Sequence, residues 1–330
     1  MNPRTKFGVC LPVFDGATVT SGAPDANTVR SVAVEAENLG YDSLWVPDHL
    51  MLGRGDSIFE CWTTLSTLAT ATNRIRFGPL VLSYSHRSPS VLAKMAATLD
   101  YISGGRLIMG YGAGWYEREQ LAYGLPWEPS PYKRIEMMRE AIKLALVMWQ
   151  GEQASFNGKY YSVAKAVCKP KPVQQPHPPI WIGGTGEKYL LRAVAELADG
   201  WNVPAMAPSE YTRKLSVIKD HCNSLGRDYN SIEKSMETRV MIIEKESEAE
   251  QVIRWFEAFK AMFGRPDPLK PNASTLEEAK VTYIIGTVGE CEDRIREYIK
   301  AGVQHFTIYP LDLPSTRTLT VLSREIIPKL

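Results

Sequence analysis

The sequence predicts an α/β protein, a (β/α)₈ barrel, and three observations predict it. Short β-rich runs alternate with amphipathic stretches along most of the chain. Eight such runs are each followed by at least one helix, which calls for a parallel sheet with right-handed crossovers, and a count of eight favours a closed barrel over an open sheet. A barrel of about 250 residues plus insertions also suits the length, here 330 residues.

Each element follows from its own residues. KFGVCLP (6–12) reads as a strand, TVRSVAVEAENLG (28–40) as a helix stopped by Gly40, and YDSLWVP (41–47) as the second strand. The cycle repeats with a helix over 60–72, strand IRFGPLVL (75–82), a helix over 88–102, strand RLIMGYG (106–112) and a long helix from about Tyr132 to Trp149. ASFNGKYYSV (154–163) predicts a hairpin turning at Asn157-Gly158, and KPKPVQQPHPP (169–179) an extended connector. Strands over 180–184, 199–203 and 233–243 then alternate with helices over 187–198 and 209–226. The charged stretch 244–280, helical with a GRPDPLKP break, is expected to pass over the barrel mouth. A helix over 289–302, a strand over 303–310 and a C-terminal helix over 316–327 complete a single barrel domain spanning 1–330.

Composition excludes several functions. Thirty-eight basic against 37 acidic side chains leave a formal charge of +1, so no broad field draws the chain to nucleic acid or to an anionic membrane. The first residues lack the apolar stretch of a signal peptide, and no run approaches the roughly 18 apolar residues of a spanning helix. The expectation is a soluble, cytoplasmic protein. Cys10, Cys61, Cys168, Cys222 and Cys291 are odd in number and scattered without a C-x-x-C pair, which points to reduced thiols and to no metal site.

A barrel gathers its chemistry at the C-terminal ends of its strands. The second strand ends in WVPDHL, with Asp48 beside His49. A histidine there can exchange a proton near neutral pH; a helix-capping aspartate with a structurally satisfied histidine is the plainer alternative. The third strand ends in the polar run Ser83-Tyr84-Ser85-His86-Arg87. The fourth ends in GYGAGW (110–115), where the third glycine of a dinucleotide fingerprint would fall on Trp115, so that reading fails. Gly112 and Gly114 either admit a flat ligand beside the backbone, with Trp115 as a wall, or merely form a tight turn. Glu117 and Glu119 follow. The fifth strand ends in Gly183-Gly184-Thr185-Gly186, opening a helix whose unpaired N–H groups suit an anion. The sixth brings Trp201 and Asn202 to the mouth. Serine-hydrolase, zincin and P-loop motifs are missing from the sequence. A hydrolase using paired acids among Glu117, Glu119 and Glu237 remains open at this point.

The segments TNRIRFGPLVLSYSHRSPSVLAKMAATLDYISGGRLIMGYGAGWYEREQLAYGLP (72–126) and KPVQQPHPPIWIGGTGEKYLLRAVAELADGWN (171–202) resemble the luciferase-like flavin-dependent oxidoreductase superfamily, which includes the bacterial luciferase-like monooxygenases. LGYDSLWVPDH early and GTVGECEDRIREYIKAGVQHFTIY late extend the resemblance over nearly the whole chain. It implies a TIM-barrel fold with a reduced flavin or deazaflavin lying across the strand ends. Its phosphate would rest at Gly183, Gly184, Thr185 and Gly186, and its ring beside Gly112 and Gly114. Asp48 matches a cofactor-contacting position, Ser83 a hydroxyl contact, and Leu80-Val81 a non-proline cis peptide behind the ring. His49 matches a proton-transfer position, with Trp115 and Trp201 as walls and Glu119 supplying a carboxylate. Sugar-phosphate dehydrogenases of this group carry a glutamate where this chain has Trp115, a departure that speaks against glucose 6-phosphate. The run Ile102-Ser103-Gly104-Gly105-Arg106 and the GYGAGW turn associate the chain with deazaflavin users. The expected activity is therefore hydride transfer between coenzyme F420 and a small organic substrate. The alternative is an FMN-dependent monooxygenase whose reduced flavin comes from a partner reductase and activates oxygen. A homodimer is implied by analogy.

Overall fold

The computed structural model describes residues 4–20, 22–262 and 275–330. Its elements run β1 (Lys6–Cys10), α1 (Ala26–Asn38), β2 (Ser43–Val46), α2 (Cys61–Ala71), β3 (Arg76–Pro79), β4 (Leu82–Ser83), α3 (Pro89–Ser103), β5 (Met109–Gly112), α4 (Glu117–Ala122) and α5 (Pro131–Gln150). There follow β6 (Ala154–Asn157), β7 (Ser162–Ala166), β8 (Ile180–Gly183), α6 (Leu190–Leu197), β9 (Gly200–Pro204), α7 (Pro208–Leu225) and β10 (Glu233–Ile242). The chain ends with α8 (Glu246–Met262), α9 (Leu276–Lys280), β11 (Ile284–Gly286), α10 (Val288–Ala301), β12 (His305–Pro310) and α11 (Arg317–Val321).

The main sheet is parallel, in the order β3-β2-β1-β12-β10-β9-β8-β5-β4, with β11 added beside β10. The predicted third strand is split into β3 and β4 by a cis Leu80–Val81 peptide. Its first half pairs with β2 and its second with β5. A bridge between Phe77 and Leu107, with Ile108 N–H donating to the Phe77 carbonyl at 2.8 Å, closes the ring. Eight staves therefore surround one axis. β11 was not expected from the sequence, which left residues 281–288 unassigned between the helical excursion and the next helix. Its three residues form too short a run to stand out, and pairing with β10 holds them extended.

Strand alternation explains why the cavity lies at one end only. At the lower end Trp45 and Trp181 pack with ring centroids 4.8 Å apart, and His305 meets Trp181 edge-on at 5.1 Å. Glycines make room for them. A Cβ on Gly8 would lie 2.1 Å from Ser43 Oγ, and one on Gly200 only 2.3 Å from Trp181 Nε1. One layer up, Asn202 Nδ2 donates to Ser235 Oγ at 2.7 Å and to Thr307 Oγ1 at 3.1 Å, forming a satisfied polar floor. The next inward residues in register, Glu237, Arg239 and Tyr309, line open space. Stability and chemistry thus occupy opposite ends of one barrel.

The helices begin where their caps dictate. Asp25 accepts from Thr28 N–H ahead of α1, and Thr287 with Glu290 forms a capping box on α10. The predicted hairpin is present as antiparallel β6 and β7, with its turn spread over 158–161. The helix predicted from 187 starts instead at Leu190, after a turn over 187–189. Trp201 is fully buried on the outer face of β9, stacked on Tyr211 of α7 at 5.3 Å, and so is not a wall of the mouth. Alternation sends its neighbours Asn202 and Pro204 inward instead. The GRPDPLKP break of the 244–280 stretch lies outside the described residues. The part before it, α8, does reach the mouth, where Phe259 lines the cavity and Trp255 Nε1 donates to the Gly16 carbonyl at 2.9 Å.

Candidate active site at the barrel mouth

A cavity of about 320 Å³ opens among the C-terminal ends of all eight staves. That volume falls within the range of small-molecule sites, about 300–1,000 Å³. Of the expected site residues, Asp48, His49, Leu80, Val81, Ser83, Gly112, Gly114, Trp115, Glu119, Gly183 and Gly184 line it. Thr185 and Gly186 sit beyond Gly184 in the loop leading to α6, outside the lining.

The glycines have a concrete reason. A Cβ on Gly112 would lie 2.5 Å from Val81 Cγ2, and one on Gly183 would lie 2.9 Å from Val81 Cγ1. Val81 therefore occupies the space that side chains on β5 and β8 would fill. The Leu80–Val81 segment forms an apolar ridge across the cavity floor, and these two glycines first of all admit Val81. Gly114 differs: with φ of +69°, it adopts the left-handed backbone that starts the turn into α4.

That turn delivers Glu119 to the site. Its side chain is buried, and its Oε1 accepts a hydrogen bond from His49 Nδ1 at 2.8 Å, while Oε2 accepts from Leu50 N–H at 2.8 Å. One carboxylate on α4 thus fixes both the ring of His49 and the backbone that carries it. Placing the proton on Nδ1 leaves Nε2 as the nitrogen free to act on a ligand. Burial pushes the Glu119 carboxyl up, but His49 and His86 outweigh it and hold it at about 2. Glu117, two residues earlier, is exposed and plays no part in the cavity.

Asp48 is also buried, and it does not cap a helix. Ser83 N–H donates to its Oδ2 at 3.0 Å, and Arg87 grips both oxygens, at 2.9 and 3.0 Å. Burial alone would raise its carboxyl; His86 and Arg87 reverse this and keep it well below the usual carboxylate range. Arg87 bonds in turn to Glu60, the residue that caps α2. His86 lies between the two buried carboxylates. Its Nδ1 is 3.3 Å from Asp48 Oδ2, a charge contact rather than an aligned hydrogen bond, and its Nε2 is 3.7 Å from Glu119 Oε1. Burial disfavours its charged form, yet Asp48 and Glu119 raise it to about 9.

Trp115 stands at the rim, 47% exposed, with its ring edge-on to His49 at 5.5 Å and stacked on Tyr116 at 5.0 Å. Across the cavity Arg239 pairs with Glu237 at 2.9 Å and lies over the Tyr309 ring at 4.1 Å. Glu119 and Glu237 each already serve a basic partner, so neither is the free acid that a paired-carboxylate hydrolase needs. Sequence reasoning passed over His86, Arg87, Gln120, Arg239 and Tyr309. A signal for Arg239 was available: Ser235, Glu237 and Arg239 alternate along a strand otherwise apolar at its C-terminal half, which places three polar groups on the inner face.

A closed parallel barrel with a cavity at its strand ends that holds a half-buried histidine paired with a buried carboxylate is the architecture of a barrel enzyme. The chain belongs to the luciferase-like monooxygenase family, whose model matches residues 5–305. Among curated proteins it is 28% identical to an F420-dependent glucose-6-phosphate dehydrogenase of Microbacterium testaceum, over 97% of this chain and 98% of that one. Among solved structures it resembles an F420-dependent secondary alcohol dehydrogenase in complex with an F420-acetone adduct, at a TM-score of 0.81 and 22% identity over 98% of both chains. A long-chain alkane monooxygenase aligns at a TM-score of 0.82 and 15% identity, over 100% of this chain and 92% of that one. At these identities the solved structures speak for the fold. Among the described residues no helix is long and apolar enough to cross a membrane.

Proposed function

We propose that the protein is an F420-dependent oxidoreductase in which His49 exchanges the proton that accompanies hydride transfer to or from a small organic substrate. The observation that carries this is the Glu119–His49 pair, which sets the tautomer of a cavity histidine directly beside the Leu80–Val81 ridge. Full-length similarity to F420-dependent dehydrogenases supports the choice of cofactor. The residues present fit such a group: Val81 gives an apolar floor and Ser83 and Asp48 lie along one side. Since Gly184 N–H is taken by the Asn202 carbonyl, the backbone N–H groups for a phosphate would come from Thr185 and Gly186 just beyond the lining. When bound, the deazaflavin supplies a two-electron hydride donor or acceptor.

The chain supplies positioning and proton handling. Glu119 holds the proton on His49 Nδ1, so Nε2 takes a proton from an alcohol or returns one to a carbonyl oxygen. Trp115 shields the rim and Phe259 the α8 side, excluding water from the reacting centre. The Glu237–Arg239 pair presents no net charge, and with Trp115 in place of a glutamate this favours a substrate other than glucose 6-phosphate. We assign the protein to the cytoplasm, in keeping with five buried free thiols. We also assign a homodimer, formed through the groove between α2 and α3 where Val91 and Ile102 are 55% and 58% exposed.

The test is a fluorescence titration of the purified protein with F420 and, separately, with FMN, each oxidised and reduced. Tight F420 and weak FMN binding, followed by turnover of alcohols or carbonyls without oxygen uptake, is the expected result. The reverse order, with oxygen consumption once a flavin reductase is added, overturns the reading in favour of the monooxygenase.

A further inference from the structure

His86 is a buried titratable group beside the site that the proposed chemistry leaves unused. It comes from the loop after β4, and its side chain is only 1% exposed. Every charged group packed around it belongs to one network. Asp48 approaches from the loop after β2, Glu119 from α4, and Arg87 from its own loop; Glu60 lies behind Arg87 at the start of α2, and His49 shares Glu119 Oε1 from the cavity side.

Counting these charges shows what His86 decides. Asp48, Glu119 and Glu60 carry three negative charges, and Arg87 compensates one while contacting Asp48 and Glu60. Without charge on His86, Glu119 would have the cavity histidine as its only cationic partner within ion-pair distance. A buried carboxylate left so exposed to one neighbour draws a proton onto that neighbour. We propose that His86 is a positioning residue, a charged imidazolium that compensates Glu119 from behind and so leaves the His49 ring, anchored through Nδ1, to work as an uncharged base at the barrel mouth.

The remaining hydrogen bonds accommodate this. The Gln120 amide nitrogen faces His86, Nε2 to Nε2 at 2.7 Å, and also donates to Ser83 Oγ at 3.3 Å, while its Oε1 accepts from Ser85 Oγ. Both serines are hydroxyls that donate or accept, so the amide is satisfied in either orientation. A protonated Nε2 selects the orientation with the amide oxygen toward it. A neutral His86 would select the opposite one, with the amide N–H donating to a bare Nε2. A charged His86 therefore requires the Gln120 amide to be turned over from its present orientation, which exchanges its contacts with Ser83 and Ser85. The position of His86 between Asp48 and Glu119, which raises its proton affinity, favours that exchange.

The inference rests on His49 being the proton-transfer group, and the experiment separates the two claims. The chain has five histidines, so ¹⁵N imidazole spectra of the apoprotein can be assigned one substitution at a time. In the wild type His86 should keep both ring nitrogens protonated at pH 7, losing the proton near the value of about 9. A neutral His86 at pH 7 overturns the proposal without touching the functional reading. In His86→Gln, the His49 titration should move up by about one pH unit, and with it the acid limb of kcat/KM for alcohol oxidation. An unmoved His49 midpoint in a folded His86→Gln overturns it equally. Should His49→Ala turn over normally, the functional reading fails while the spectra still report on His86.

Discussion

Glu119→Gln is the sharpest perturbation of this site, because it keeps the shape of the side chain and removes one charge. In the wild type one carboxylate accepts from His49 Nδ1 and Leu50 N–H and faces His86 at 3.7 Å. An amide has a single acceptor oxygen. Either the His49 ring or the Leu50 N–H must then confront an NH₂ group, and His86 loses one of its two anionic partners. Breaking a buried charged contact while leaving a donor unpaired costs about 3 kcal/mol. For a chain of 330 residues the unfolding entropy at about 2.1 cal/mol/K per residue is roughly 0.7 kcal/mol/K, so Tm should fall by about 4 °C. The catalytic loss should be larger, since a histidine no longer held in one tautomer and one place costs about 100-fold in kcat/KM. Thermal unfolding with and without F420, and steady-state kinetics across pH, measure both. A variant within 1 °C of the wild type in Tm and within twofold in kcat/KM would refute the anchoring role of Glu119.

Other outcomes follow from the same geometry. His49→Ala should abolish most turnover while F420 affinity, measured by fluorescence titration, stays within a few-fold of the wild type. Gly112→Ala should lower stability by about 1–3 kcal/mol in denaturant unfolding, because the new Cβ meets Val81 at 2.5 Å and the neighbouring strand cannot retreat. Arg87→Ala strips Asp48 of its bidentate partner and should cost about 3–5 kcal/mol, more than Glu119→Gln, in the same assay. Stability should also depend on pH from both sides. Glu119 is held at about 2 against an ordinary 4.5, so its contribution is present above 4.5 and lost as pH falls toward 2. His86 is raised to about 9 from 6.5, so its contribution is complete below 6.5 and lost as pH rises through 9. Urea midpoints should therefore peak between pH 4.5 and 6.5 for this cluster, with the alkaline fall absent in His86→Gln.

The fold was legible because it depends on periodicity, which a chain displays openly. Eight β-rich runs separated by amphipathic helices leave few topologies, and the staves lie within a few residues of where alternation put them. The places where the reading slipped are those where a neighbour, rather than the local sequence, decides. Trp201 looked like a mouth residue because it ends a strand, but its outward parity places it against Tyr211. Residues 284–286 became a strand only through pairing with β10. At the site, Asp48, His49 and the glycines were visible as residue types at strand ends, whereas the partnership of Glu119 with His49 spans 70 positions and joins elements that only the closed barrel brings together. His86 was the least legible, since a histidine in a polar loop shows nothing of its burial.

The same contrast bears on how the site is built. Asp48, His49, Ser83 and Glu119 read directly from sequence as polar residues near strand ends, whereas His86, Arg87 and Glu60, which balance their charge, did not. Asp48 and Glu119 would each be costly to bury alone, and neither is alone: Arg87 answers the first and His86 stands between them. A network so balanced tolerates removal of any one member poorly, which is why a distant loop histidine and a helix-capping glutamate belong to the energetics of a single cavity imidazole.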